Sequence, residues 1–303
     1  MNKIARSYFF SNYFYGTCSL ALSMETNFQL GIALNPPLYY LFLFAGSVWY
    51  YTKSYTSEAS YSQPNQRTYW YKTHKQIILY SQNILLVTAT IAGCILLFQN
   101  INAIAALTNA EWVYLLIFPL TALLYYESIS PKNPTHNLRS IGWLKPFVIS
   151  FVWTGVVSIY PVVFNSIEKG RHFELSWLEQ MFFLKNFIFI SILCILFDIK
   201  DYAADHNSLL KTFVVRLGLR KTLYYIILPM SLLGFLSFIS FTIFRDLPLS
   251  RILINSIPFI LLIIVTWSMQ RRKSILYYLA VIDGLMLIKA ACGIIGVLVF
   301  KIK

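Results

Sequence analysis

The chain has 303 residues, 57% of them hydrophobic and 12% charged, with a mean hydropathy of +0.61 and a formal net charge of +13. A water-soluble domain carries roughly twice that charged fraction, so a soluble globular fold is excluded. The Lys and Arg residues gather at the ends of apolar runs, where they meet lipid headgroups; this is not the pattern of a nucleic-acid-binding surface.

Nine apolar runs are predicted as membrane-spanning helices, because runs of roughly 17 to 25 residues match the thickness of a bilayer. In chain order they cover about 12–34, 37–52, 76–98, 102–126, 143–165, 180–198, 221–244, 250–268 and 275–300. The first is the least typical, since Glu25, Thr26 and Asn27 interrupt it. Pro36 and Pro37 predict a tight turn into the second, because proline fixes φ and keeps its predecessor out of the α region. Asn100-Ile101-Asn102 joins the third and fourth. Longer polar connections follow the second, fourth, fifth and sixth runs. Residues 1–303 therefore read as a single all-α polytopic membrane domain with membrane lipids as its surroundings. No small-residue cleavage pattern follows the first run, so no cleavable signal peptide is expected.

Lys and Arg placement sets the orientation. With the N-terminus in the cytoplasm, the basic residues favour the cytoplasmic side by better than two to one. The inner cell membrane, a cytoplasmic N-terminus and an external C-terminus follow as expectations. Cys18, Cys94, Cys194 and Cys292 each lie inside an apolar run, and His74, His136, His172 and His206 are scattered, so neither a disulfide framework nor a zinc site is predicted.

The sixth run ends in Phe197-Asp198-Ile199-Lys200-Asp201-Tyr202-Ala203-Ala204-Asp205. Carboxylates at i, i+3 and i+7 share one face of a helix. Like charges so gathered repel, and a cation such as Mg²⁺ would hold them together. The stretch DIKDYAADHNSLLKTFVVRLG, from Asp198 to Gly218, resembles the second aspartate-rich motif of the UbiA-type intramembrane prenyltransferases, D-x-x-D-x-x-x-D-x-x-x-G-x-x-T-x-P-x-x-x-G. Asp198, Asp201 and Asp205 match the three carboxylates, Thr212 the threonine and Gly218 the closing glycine. Leu209 and Val214 depart from the pattern.

The resemblance implies nine helices around a central, lipid-open cavity. It implies prenyl transfer from a prenyl diphosphate to a lipophilic or aromatic acceptor, with Asp198, Asp201 and Asp205 as catalytic, magnesium-holding residues. Carboxylate-held Mg²⁺ would bind and stabilise a departing diphosphate. Basic residues near the motif would neutralise the rest of its charge: Arg67, Lys72, Lys75, Lys200, Lys211 and Arg216. Aromatic faces would shield an allylic cation.

The family's first motif, N-x-x-x-D-x-x-x-D, has no aspartate here. The best register puts Tyr51, Tyr55 and Ala59 at its three positions, which makes Tyr51 and Tyr55 substrate-side candidates. Glu58 is one position out of phase, and Asn65 is a further oxygen donor in the same loop. Half the ligand set is thus missing, and a non-catalytic relative that binds lipid or a partner is the alternative. A secondary transporter would fit the charged residues inside the runs, but no repeated halves are visible.

Two charges fall inside the ninth run. Asp283 and Lys289, six residues apart, point in different directions on a helix and each needs a partner from another span. Asp283 is nearer the cytoplasmic end, where it would border the cavity mouth, and Lys289 is deeper, where it would either snorkel outward or meet Glu25. Lys185 is expected to snorkel outward.

Overall fold

The structure, a computed structural model, describes residues 3–56, 66–126, 138–207, 209–271 and 273–300. Among these residues the chain is all helix and turn. Glu58, Ala59 and Asn65 lie outside them. After a short amphipathic helix, α1 (Lys3–Phe10), come α2 (Tyr13–Leu30), α3 (Pro37–Thr56), α4 (Gln66–Thr73) and α5 (Lys75–Gln99). The fourth predicted span is broken: α6 (Ile101–Ala105) stops before α7 (Asn109–Tyr126). Glu111 causes the restart, since its carboxylate accepts the Thr108 backbone N–H at 2.7 Å and the Thr108 hydroxyl at 2.8 Å. The rest of the chain forms α8 (Lys145–Glu168), α9 (Trp177–Asn207), α10 (Phe213–Leu217), α11 (Leu219–Phe244), α12 (Leu249–Ser268) and α13 (Ile275–Val299).

Six of these helices, α5, α8, α9, α11, α12 and α13, are long and apolar enough to cross a membrane, and α7 is a shorter apolar helix. Each of the other predicted spans is also helical among the described residues, but α2 and α3 are diluted by polar side chains. On α2 Glu25, Thr26, Asn27 and Gln29 are buried and partnered. Lys289 Nζ donates to both Glu25 oxygens at 2.8 and 2.7 Å, and Asn27 donates to the Ala33 carbonyl and to Asn35. The interruption seen in the sequence is thus the polar seam that fixes α2 in the bundle.

Proline shapes several contacts. Pro161 has no N–H to give the Val157 carbonyl one turn earlier, and a π-helical segment, Gly155–Ile159, sits there. The Thr26 hydroxyl donates to that freed carbonyl at 2.6 Å. Pro119 likewise frees the Leu115 carbonyl, which accepts the Tyr160 hydroxyl at 2.7 Å. Gly155 is required where α7 meets α8, because a Cβ there would occupy the Phe118 ring.

α2, α8, α9, α11, α12 and α13 pack in sequence around a ring that closes between α13 and α2, while α3 packs on α2, α5 packs on α3, and α7 flanks α8. The core inside the ring is built from Leu22, Val157, Phe189, Ile192, Ile195, Leu196, Ile227 and Leu262. Exposed Ile, Leu and Val side chains on α5, α11 and α12 face outward, as lipid contact requires. Lys185 corrects the snorkelling expectation. It is 3% exposed, with Nζ 4.3 Å from the centre of the Phe182 ring and 4.8 Å from that of Phe241. Aromatic faces, not headgroups, receive its charge.

Candidate functional site

A cavity of about 420 Å³ lies between α2, α3, α7, α8, α9 and α13. One end is ionic. α9 ends where α8 begins, so Asp198, Lys200 and Asp201 face Lys145 and Arg139 across the mouth. Away from the mouth the walls turn aromatic and apolar, from Tyr51, Tyr55 and Trp153 to Phe42, Leu43, Tyr39 and Tyr160. Lys145 and Tyr160 are fifteen residues apart on one helix, which gives the cavity a length of roughly 20 Å.

The acidic cluster has a definite geometry. Asp198 and Asp205 are both buried on one face of α9. Lys145 reaches between them, with Nζ 2.8 Å from Asp198 Oδ1 and 3.7 Å from Asp205 Oδ2. Asp201 turns aside and pairs with Lys200 at 3.2 Å. Asp205 lies just past the apolar part of α9. Burial raises its carboxyl from the ordinary range to about 6, and Asp198 and Asp201 add to the rise while Lys145 opposes it. The second Asp198 oxygen has no hydrogen-bond partner among the described residues.

Thr212 and Gly218, which complete the motif, are structural. The Thr212 hydroxyl caps α10 by accepting the Val215 N–H, and Gly218, at φ 78°, turns the chain from α10 into α11. Gly142 packs against the Lys211–Thr212 backbone, where a Cβ would come within 2.5 Å of the Lys211 carbonyl carbon. The motif thus brings the loop before α8, and with it Lys145, against the acidic end of α9.

The three aspartates, as arranged, do not fit the expected magnesium site. The position between Asp198 and Asp205 is taken by the Lys145 ammonium, and Asp201 points to Lys200. Among the described residues no three Asp, Glu, His or Cys side chains converge on one point. Tyr51 and Tyr55, at the places of the family's first-motif donors, are engaged as aromatic groups. Tyr51 stacks on Tyr15 at 4.8 Å and accepts the Trp153 indole N–H, and Tyr55 stacks on Tyr71 at 5.3 Å.

Of the candidate site residues, Asp198, Asp201, Lys200, Tyr51 and Tyr55 line the cavity, and Asp205 adjoins it through Lys145. Arg67 is buried beside it as a strut: it donates to the Phe10 carbonyl at 2.9 and 3.2 Å, to Asn12 and to the Tyr55 hydroxyl, closing the break between α1 and α2. Lys72, Lys75, Lys211 and Arg216 are exposed and do not line the cavity. Lys145 was not singled out in the sequence, although a cation at the start of a helix opposes the helix dipole and so signals a carboxylate partner. Arg139 is one of the basic residues whose bias sets the expected orientation. No family model, curated protein or solved structure matches the chain.

Proposed function

We propose that this chain is a UbiA-like intramembrane protein that takes up a prenyl diphosphate and transfers its prenyl chain to a lipophilic or aromatic acceptor. One observation carries the reading: a single cavity joins a basic and acidic mouth to a long aromatic interior. An amphiphile with an anionic head and an apolar tail is complementary to both ends. Arg139, Lys145 and Lys200 supply positive charge for the diphosphate; Lys145, with 14% of its side chain exposed, does so from a largely buried position where its charge acts more strongly than in water. The Tyr51, Tyr55 and Trp153 rings face the region where an allylic cation would form. No step of this reading runs through a resident magnesium ion. The mouth lies on the cytoplasmic side in this reading, at the inner membrane, with the C-terminus outside, on the strength of the Lys and Arg bias.

A second reading has its own support. The Lys145 ammonium between Asp198 and Asp205, with tyrosines in place of the first-motif carboxylates, suits a protein that holds an anionic lipid without reacting with it. The experiment that separates them incubates the purified protein with farnesyl diphosphate and total membrane lipid, with and without Mg²⁺, and searches by mass spectrometry for farnesylated products. Transfer predicts a product that disappears in Lys145→Met. Stabilisation by farnesyl diphosphate with no product would establish the non-catalytic reading, and neither effect would remove both.

A further inference from the structure

Arg251 is a buried cation without a counter-charge. It is 3% exposed, its Nε is sealed from solvent, and no hydrogen bond or ion pair reaches its side chain among the described residues. It stands in the first turn of α12, where the helix dipole opposes a positive charge. Arg245, at the end of α11, is its charged neighbour. The Nε of Arg245 is also buried and unpartnered, and its one hydrogen bond among the described residues runs from a terminal guanidinium nitrogen to the Leu30 carbonyl at 3.3 Å. A tight turn joins the two arginines: Asp246 sits at φ 49° and the Leu247 N–H returns to the Thr242 carbonyl at 3.0 Å. Gly31, at φ 70°, ends α2 and leaves room for Arg245, since a Cβ there would come within 3.2 Å of the guanidinium. The Asp246 carboxylate is exposed and pairs with neither arginine.

Such a pair is unfavourable as it stands. Two like charges repel, and a desolvated guanidinium with open donors costs free energy. Snorkelling does not relieve Arg251, because its side chain stays inside the protein. Lys185, deeper in the same half, is received by aromatic faces, but no ring covers either arginine among the described residues. What completes the pair is an anion able to accept from two guanidinium forks at once. Each fork offers five N–H donors in a plane, and a tetrahedral phosphate has oxygens for both. The neighbours in the chain, Phe244, Leu249 and Leu253, are exposed and apolar. Acyl chains would meet them where the phosphate meets the arginines.

We infer that Arg245 and Arg251 form an oxyanion site for a phosphate group, at the end of the bundle opposite the cavity mouth, and the flanking apolar side chains favour a phospholipid headgroup as its source. The site is separate from the cavity. α11 starts beside Gly218, next to the acidic end of α9, and runs 26 residues, roughly 40 Å, before it reaches Arg245.

The test uses the purified full-length protein, stripped of lipid in a non-ionic detergent. Its melting temperature is titrated with dioleoylphosphatidylglycerol, with dioleoylglycerol, which has the same chains and no phosphate, and with inorganic phosphate. A ligand of the native state raises the melting temperature. Phosphatidylglycerol should raise it by several degrees and dioleoylglycerol should not. Arg251→Met and Arg245→Met each replace a poorly paired charge by an apolar chain, so both variants should fold, and each should weaken the response roughly tenfold or more in lipid concentration. Arg220→Met, at an exposed basic residue of the other face, should keep the response, and so should Lys145→Met at the cavity mouth. An arginine-dependent shift with phosphatidylglycerol alone supports the site and identifies its source as lipid. The same shift with inorganic phosphate supports the site with a soluble source. An equal shift with dioleoylglycerol, a response that both arginine variants leave intact, or no shift with either phosphate overturns the inference.

Discussion

Replacing Lys145 by Met removes the charge that separates two buried carboxylates while nearly keeping the side-chain volume. Lys145 Nζ is 2.8 Å from Asp198 and 3.7 Å from Asp205, and the two side chains are 3% and 10% exposed. Removing one partner of a buried ion pair costs about 3–5 kcal/mol, because the remaining charge stays desolvated. Lys145 itself keeps 14% of its side chain exposed, so the lower end applies, about 3 kcal/mol. Part of that loss is recovered if the orphaned carboxylate is neutralised too. The assay is a thermal melt in detergent at pH 7.5 across the wild type, Lys145→Met, Asp198→Asn and the double variant. The expected result is a fall of roughly 5 °C or more for Lys145→Met, with a coupling to Asp198→Asn of about 1–3 kcal/mol. A Lys145→Met melt within about 1 °C of the wild type, or additive effects in the cycle, would show that the ammonium does not organise the acidic face.

Lys289→Met leaves Glu25 buried and alone and should destabilise by about 3–5 kcal/mol, whereas Glu25→Met/Lys289→Met should recover most of the loss; melts of the three variants check this. Thr26→Val removes the hydroxyl donor to the Val157 carbonyl freed by Pro161 and should cost about 1–3 kcal/mol, with a smaller cost in a Pro161→Ala background that restores a backbone N–H. Gly155→Ala should unfold or strongly destabilise the α7–α8 contact, read as a lowered melting temperature, since the added methyl overlaps Phe118. For Asp205 the folded carboxyl is raised to about 6, above its unfolded value. Its contribution to stability is therefore complete below about pH 4 and is lost as pH rises through 6. The wild type should lose up to about 3 kcal/mol relative to Asp205→Asn between pH 4 and 7, and parallel pH–stability curves for the two proteins would contradict this.

Much of the layout was legible from residue pattern alone, since long apolar runs permit little other than helix in a bilayer. The Glu25–Lys289 pair was legible as one of two alternatives, since a charge inside a span either snorkels or meets a counter-charge at similar depth, and the structure shows the pair. Three features were not. The break between α6 and α7 comes from a local capping interaction at Thr108 and Glu111 that hydropathy does not register. Lys185 reads as a snorkelling end residue, but only the tertiary packing shows three phenylalanines around it. The spacing of Asp198, Asp201 and Asp205 puts them on one helix face and says nothing of what approaches that face from α8. There the sequence pattern suggests a metal, and the fold brings a lysine.

The account rests on an anionic head entering at Arg139, Lys145 and Lys200 while an apolar tail fills the aromatic interior. The direct measurement is the melting temperature of the purified wild type titrated with farnesyl diphosphate and, in parallel, with farnesol, with EDTA present throughout. Ligand at 100 times its Kd stabilises a native state by about 2.7 kcal/mol. The diphosphate should raise the melting temperature by several degrees in the wild type and much less in Lys145→Met, and farnesol should do little in either. No shift with the diphosphate, or an equal shift with farnesol, would contradict the account.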